Sequence, residues 1–181
     1  MVVDMSISST SIIHRFLALF VAIVFLGTGC VGPTPDTVDG TDLGVDIGQE
    51  SPDFTTTAFT GQEVSLSDYR GEKVLLDFWA MWCPFCATEI PEIQALHEQY
   101  PNLNVIGVHR SATESFEEAE LYAQDLGVTY LMLRDDDDEL YDLYSGGRPF
   151  MPLAILIDED GIVQQRLLGP KTTEQIKELF N

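Results

Sequence analysis

Between positions 73 and 108 the apolar residues change period twice. Val74, Leu75, Leu76, Phe78 and Trp79 form a nearly continuous run, the pattern of a strand covered on both faces. From Pro84 to Tyr100 the spacing opens: Cys86, Ile90, Ile93, Leu96 and Tyr100 recur at intervals of three and four, which predicts one buried face of an α-helix. Leu103 to Val108 is again continuous and reads as a second buried strand. A strand, a helix and a strand in succession are the start of a layered α/β domain.

The flanking segments extend this pattern. Asp53 to Phe59 and Glu63 to Leu66 enclose Thr60-Gly61 and predict a β-hairpin, and Ser67 to Gly71 reads as a turn. Downstream, Ser115 to Leu126 has the spacing of an acidic amphipathic helix closed by Gly127. Thr129 to Leu133 is strand-like, and Asp137 to Tyr144 reads as a short helix. Leu153 to Ile157 and Ile162 to Leu168 are strands joined by the turn Asp158-Glu159-Asp160-Gly161. Thr172 or Thr173 opens a last helix ending at Phe180. The alternation predicts a central sheet with helices on both faces. No internal repeat is visible.

The first 30 residues follow another logic. His14-Arg15 precede an apolar run from Phe16 to Leu26, then Gly27-Thr28-Gly29 and Cys30. The run is about half the ~20 residues needed to span a bilayer and suits the core of an export signal; an uncleaved anchor is the alternative. Small residues before Cys30 resemble a lipobox, in which the cysteine is lipidated and becomes the mature N-terminus. Leu26 sits one place further from Cys30 than that pattern wants, so a plain signal-peptidase site is the competing account. Lipidation would also explain the odd cysteine. Residues 31–50 are Gly, Pro, Thr and Asp with scattered aliphatics, the composition of a flexible tether. The folded domain is then expected over 51–181.

Composition narrows the partners. Thirty acidic against nine basic residues give a formal charge of −21, which repels nucleic acid and anionic lipid surfaces. The same acidity suits either a hydrated surface at high salt or ordinary solubility. A hydrophobic content of 45% is that of a globular core.

The chemistry lies at the end of the first strand, in Trp82-Cys83-Pro84-Phe85-Cys86. Two cysteines separated by two residues at a strand-to-helix junction can open and close as a disulfide. The first sits where helix N–H groups and the dipole favour a thiolate. Pro84 fits the first helical position, since its missing N–H would be unpaired there anyway. Phe85 and Cys86 are then the expected donors to the Cys83 sulfur. A thiol of pKa ~8.5 needs about 2 kcal/mol of selective stabilisation to reach ~7. The dipole supplies ~0.3–1 kcal/mol, so N–H···S bonds must provide the rest.

Together these residues resemble a known family. Leu76-Asp77-Phe78-Trp79-Ala80-Met81-Trp82-Cys83-Pro84-Phe85-Cys86, then Glu89-Ile90-Pro91, Met151-Pro152 before a strand, and Ile157-Asp158-Glu159-Asp160-Gly161 are similar to the TlpA/ResA-like thiol–disulfide oxidoreductases. Ser51-Pro52-Asp53-Phe54 and Ser65 to Gly71 are similar to the N-terminal hairpin shared with peroxiredoxin relatives. The resemblance covers roughly residues 50–181 and implies a thioredoxin-like α/β fold, a central mixed sheet flanked by helices with an extra N-terminal hairpin. It also implies export, membrane tethering on the extracytoplasmic side, protein thiols and disulfides as partners, and a membrane thiol reductase as electron donor. The redox group would be the Cys83–Cys86 disulfide itself, with no separate cofactor and no metal. The stretch Ser145 to Met151 is longer than the usual link to the proline, and Asp77 stands where these relatives often carry a neutral residue.

Each position then acquires an expected role. Cys83 is the nucleophile and Cys86 the resolving thiol. Glu89, one turn beyond Cys86, and Asp77, on the strand beneath, are candidates for moving the Cys86 proton. Their alternatives are a solvated helix carboxylate and a tolerated polar core residue. Pro152 is the candidate cis-proline, and Trp82, Pro84, Phe85, Met151 and Pro152 form the candidate partner-binding surface, with Trp82 half-exposed and Trp79 in the core. Pro91 is expected to kink its helix.

Other signals carry less. Ala87 after Cys86 excludes a haem-attachment motif, which needs His. The run Asp135 to Glu139 lacks the glycine of a calcium loop and reads as a solvated face. His97 and His109 are lone imidazoles. Three functions remain in competition with a reductant: a DsbA-like oxidant, a peroxiredoxin-type peroxidase, and a copper chaperone using Cys83, Cys86 and a histidine.

Overall fold

The structure is a computed structural model and describes residues 44–179. The expected export signal, Cys30 and the first part of the tether lie outside the described residues. Among those described, no helix is long and apolar enough to cross a membrane.

The strand–helix–strand pattern forms as expected. Strand β3 (Lys73–Trp79) leads through a short loop into α1 (Pro84–Gln99) and back into β4 (Leu103–Arg110), which lies parallel to β3. Helix α2 (Phe116–Asp125) connects to β5 (Leu131–Asp135), again parallel. A short α3 (Glu139–Ser145) precedes β6 (Leu153–Ile157) and β7 (Val163–Leu168), and α4 (Thr173–Lys177) follows. Strand β6 runs antiparallel to β3 and β7 antiparallel to β6, giving a mixed sheet in the order β5-β4-β3-β6-β7. This is the thioredoxin-like arrangement that the resemblance implied.

Strand β3 is central, and its side chains alternate between two cores. Val74, Leu76 and Phe78 pack with Phe54, Tyr141, Tyr144 and Ile155 on one face. Leu75 and Trp79 pack on the other with Cys83, Cys86, Ile90, Ile93, Leu96 and Ile176. Asp77 lies between Leu75 and Trp79 in this alternation and faces the cysteine side. Burying each aliphatic side chain completely is worth ~1.5–3 kcal/mol, so α1 is held to the sheet chiefly by Ile90, Ile93 and Leu96.

Both sheet edges gain further main-chain contacts. The hairpin of β1 (Thr55–Thr57) and β2 (Glu63–Ser65) pairs Thr55 with Ser65. It docks on β5 through the Phe59 N–H to the Met132 carbonyl at 2.8 Å and a bridge between Ala58 and Leu133. The expected turn after it is a 3-10 helix over Leu66–Tyr69. On the opposite edge, Gly48 donates to the Val163 carbonyl at 2.8 Å and Val163 donates back to Gln49 at 2.9 Å. Arg166 adds a side-chain bond to the Val45 carbonyl at 2.7 Å. Residues 44–50, assigned to the tether on composition, are therefore part of the packed domain. Their main-chain groups supply the pairing, and composition does not report those.

Other boundaries move for similar reasons. Strand β4 runs on through His109 and Arg110, which pair with Arg134 and Asp135 of β5. Strand β5 starts two residues later than expected because Thr129 is engaged elsewhere: its N–H donates to Gln94 Oε1 of α1 at 2.9 Å. The acidic run is not simply a solvated face. Asp135 is buried and its carboxylate accepts the N–H groups of Leu140 and Tyr141 at the start of α3, while Asp138 pairs with Arg110. Burial pushes the Asp135 carboxyl up to about 6, against those two hydrogen bonds.

Candidate active site

Cys83 is the N-cap of α1, with extended backbone (φ −90°, ψ 104°), and Pro84 takes the first helical position. Cys83 and Cys86 are joined as a disulfide with their Cα atoms 5.3 Å apart. Of the two donors expected, the Cys86 N–H reaches Cys83 Sγ, at 3.2 Å. The oxidised pair is covered, at 2% and 1% exposure, whereas its neighbours Trp82 and Phe85 are 55% and 57% exposed. The sulfurs are thus covered while the adjoining residues Trp82 and Phe85 are open to solvent, and Trp79 is wholly in the core.

The loop before Cys83 is held by a residue that sequence reasoning missed. Glu114, after β4, accepts the Met81 N–H at Oε2 and the Trp82 N–H at Oε1, both at 2.8 Å. Its Oε2 also lies 2.7 Å from His109 Nε2. His109 is buried beside Trp79, with ring centroids 4.6 Å apart. Burial lowers the His109 pKa, opposed by the Glu114 carboxylate, so we assign a neutral ring whose Nε2–H donates to Glu114. Nothing in Ser111-Ala112-Thr113-Glu114 distinguishes this carboxylate from the other acidic residues of so acidic a chain.

The two acids singled out in the sequence are Asp77 on β3 and Glu89 on the inward face of α1. Asp77 and Glu89 are each 1% exposed. Asp77 sits opposite Gly107 on β4 and Ala154 on β6. A side chain at Gly107 would require the end of the Met132 side chain to shift. Burial raises the Asp77 carboxyl to about 6, with Lys171 opposing. It raises Glu89 to about 9, helped by the Asp77 charge and opposed by Lys171. Two carboxyls buried on the same side of the sheet do not both ionise readily, which favours keeping a proton on one of them. Glu89 is not a solvated helix carboxylate.

Lys171 was not anticipated. It lies between β7 and α4, is 7% exposed, and brings Nζ to 2.6 Å from Glu89 Oε1 as an ion pair. Neither Glu89 oxygen is otherwise hydrogen-bonded, and Asp77 Oδ1 also lacks a partner.

The second loop of the site is set by aromatic and cationic contacts. The Met151–Pro152 bond is cis, and the Pro152 carbonyl accepts the Gly169 N–H at 2.9 Å. The Tyr141 hydroxyl donates to the Phe150 carbonyl at 2.8 Å. Arg110 places its guanidinium carbon 3.9 Å from the Tyr141 ring centroid and 5.9 Å from that of Trp82, so one cation bridges the cysteine loop to the residue that anchors the proline loop. Met151 is partly buried between the two cores, and Phe150 is exposed.

Among the described residues no group of three or more His, Cys, Asp and Glu side chains is placed to hold a metal ion. His109, the extra ligand a copper site would need, has Nε2 on Glu114 and Nδ1 buried without a hydrogen-bond partner.

Known proteins are similar to this chain in sequence and fold. Residues 47–166 match the family model described as the AhpC/TSA family. The thiol–disulfide oxidoreductase ResA of Geobacillus kaustophilus is 35% identical over 133 residues, covering 74% of this chain and 75% of that one. The thioredoxin-like protein YneN of Bacillus subtilis is 31% identical over 141 residues, covering 76% and 80%. Among solved structures, a putative thiol:disulfide interchange protein DsbE from Chlorobium tepidum superposes with a TM-score of 0.68 at 28% identity, over 75% of this chain and 96% of that one. StoA from Bacillus subtilis gives 0.63 at 26%, over 72% and 97%. The chain therefore belongs to the AhpC/TSA family and, within it, is a thiol–disulfide oxidoreductase of the ResA-like kind.

Proposed function

We propose that the protein is an exported, membrane-tethered reductant of protein disulfides, with Cys83 as nucleophile and Cys86 as resolving thiol. The observation that carries this reading is the disulfide at the N-terminus of α1, backed by the buried acids Asp77 and Glu89. In the reduced protein the Cys83 thiolate attacks one sulfur of a partner disulfide, and the other partner sulfur leaves and takes a proton. Cys86 then gives its proton to the Asp77–Glu89 pair and attacks Cys83 Sγ. The bond between Cys83 and the partner breaks, the second partner thiolate leaves, and two electrons have passed from the Cys83–Cys86 pair to the partner. A membrane thiol reductase restores the dithiol. The partner segment docks over Trp82, Pro84, Phe85, Met151 and Pro152. Cytochrome c maturation and general thiol repair are the two settings for such a reductant. Tethering rests on the N-terminal sequence, through lipid on Cys30 or through an uncleaved signal.

Expressing the Cys86→Ser variant in its own cells and isolating mixed disulfides tests the assignment. Partners captured on Cys83 and released by dithiothreitol are expected; capture that persists in Cys83→Ser would overturn it. A reduction potential near −120 mV, that of strong oxidants, would instead support a DsbA-like oxidant.

A further inference from the structure

Lysine is among the side chains least often fully buried, and Lys171 is buried on the side of the core that holds Asp77 and Glu89. Its place is built into the fold. The turn that carries it is fastened on one side by the Gly169 N–H to the Pro152 carbonyl at 2.9 Å. On the other, Thr173 donates its N–H and hydroxyl to Glu92 Oε2 at 2.9 and 2.6 Å. Glu92 is one turn beyond Glu89 on α1, so the same helix face that receives the Lys171 ammonium also clamps the turn that delivers it.

We propose that Lys171 is a positioning residue for the proton step of exchange: its ammonium keeps one carboxylate of the Asp77–Glu89 pair ionised and available to accept the Cys86 proton. This rests on the proposed reading of Cys86 as the resolving thiol and of the two acids as its proton acceptors.

The physical argument is one of charge count. Two carboxylates close together in a low-dielectric site do not both ionise, and one buried charge without a counter-ion is itself strongly disfavoured. The ionisable groups around Glu89 come from four places: Asp77 on β3, Cys86 on α1, Tyr130 ahead of β5, and Lys171. The Tyr130 hydroxyl is buried without a partner, and burial pushes its pKa well up, so it adds no charge at neutral pH. With Lys171 charged, the pair carrying one proton is neutral overall and has one empty acceptor. Without Lys171, both carboxyls hold their protons to higher pH and the acceptor is gone. The step itself is unchanged: the Cys86 S–H proton moves to the carboxylate, the Cys86–Cys83 bond forms, and the partner leaves as thiolate.

The experiment is stopped-flow reaction of the reduced full chain with 5,5′-dithiobis(2-nitrobenzoic acid). The first thionitrobenzoate released reports attack by Cys83, and the second reports resolution by Cys86. Resolution is followed against pH in the parent and in the Lys171→Met, Lys171→Arg, Glu89→Gln and Asp77→Asn variants. Lys171→Met is expected to slow resolution roughly tenfold or more at neutral pH, one pKa unit being a factor of ten. Its inflection should move to higher pH while the Cys83 phase keeps its rate, and Lys171→Arg should restore the profile. A Lys171→Met profile superimposed on the parent, with those of Glu89→Gln and Asp77→Asn displaced, overturns the role of Lys171 alone. If neither acid variant displaces the profile, the relay reading itself fails. Infrared difference spectra of the parent against Asp77→Asn and Glu89→Gln give a second readout that does not need Lys171→Met to fold. One protonated buried carboxyl at neutral pH is expected; two would overturn the proposal.

Discussion

Glu114 holds Trp82 by its backbone, through a 2.8 Å bond from the Trp82 N–H to Oε1. The second oxygen serves Met81 and His109, so one carboxylate sets the residues leading into Cys83. Replacing it with alanine leaves two loop N–H groups and a buried imidazole unpaired. The buried imidazole left unsatisfied costs ~1–3 kcal/mol, and each of the two more accessible loop hydrogen bonds is worth ~0.5–1.5 kcal/mol. Glu114→Ala should therefore lower unfolding free energy by roughly 2–4 kcal/mol in urea melts, with Glu114→Gln closer to the parent. Equal midpoints for parent and alanine variants would show that the loop does not depend on this residue.

Asp77→Asn is expected to stabilise the protein near neutral pH. The folded carboxyl is raised to about 6 by burial, above the ~3.9 of an unfolded aspartate. Between those values the folded state binds more protons than the unfolded, so stability falls as pH rises through that window. The asparagine variant is spared this loss, on the order of 2–3 kcal/mol at 1.36 kcal/mol per unit. Thermal melts should show the gap opening above about pH 4 and vanishing below it; a constant gap would mean that the carboxyl does not titrate this way.

Tyr141→Phe keeps the ring beneath Arg110 but removes the hydroxyl that donates to the Phe150 carbonyl at 2.8 Å. A net loss of about 1 kcal/mol follows from one such bond. Faster amide hydrogen exchange at Met151 and Leu153, with no change in the hairpin, is the signature to look for. Uniform exchange rates would place the loop's anchorage elsewhere.

Trp82 and Phe85 are more than half exposed beside covered sulfurs. Surface substitutions of this kind change stability by ~0.5 kcal/mol or less. Trp82→Ser and Phe85→Ser should raise KM for a protein disulfide severalfold while leaving the rate with a small disulfide unchanged. Equal effects on both substrates would argue that these rings shape the sulfur rather than the docking surface.

The order of strands and helices was legible because apolar periodicity records which side of each element is buried, and burial of one face is a local requirement. Val74 to Trp79 and the face formed by Ile90, Ile93 and Leu96 are cases in point. Boundaries were less legible where main-chain bonds alone decide them, as at residues 44–50 and Thr129. Polar partners were least legible. Glu114 and Lys171 look like any surface residue in the linear chain, because a hydrogen bond or ion pair between distant positions leaves no periodic trace.

The amino-acid order alone placed Cys83 and Cys86 within one turn at the start of a helix and Glu89 one turn beyond, since such spacing is a property of the chain. Folding alone decided what those groups are worth to one another. Asp77 and Glu89 have their carboxyls pushed up only because packing removes water from both. Lys171 becomes their counter-ion only because the turn after β7 is clamped against α1.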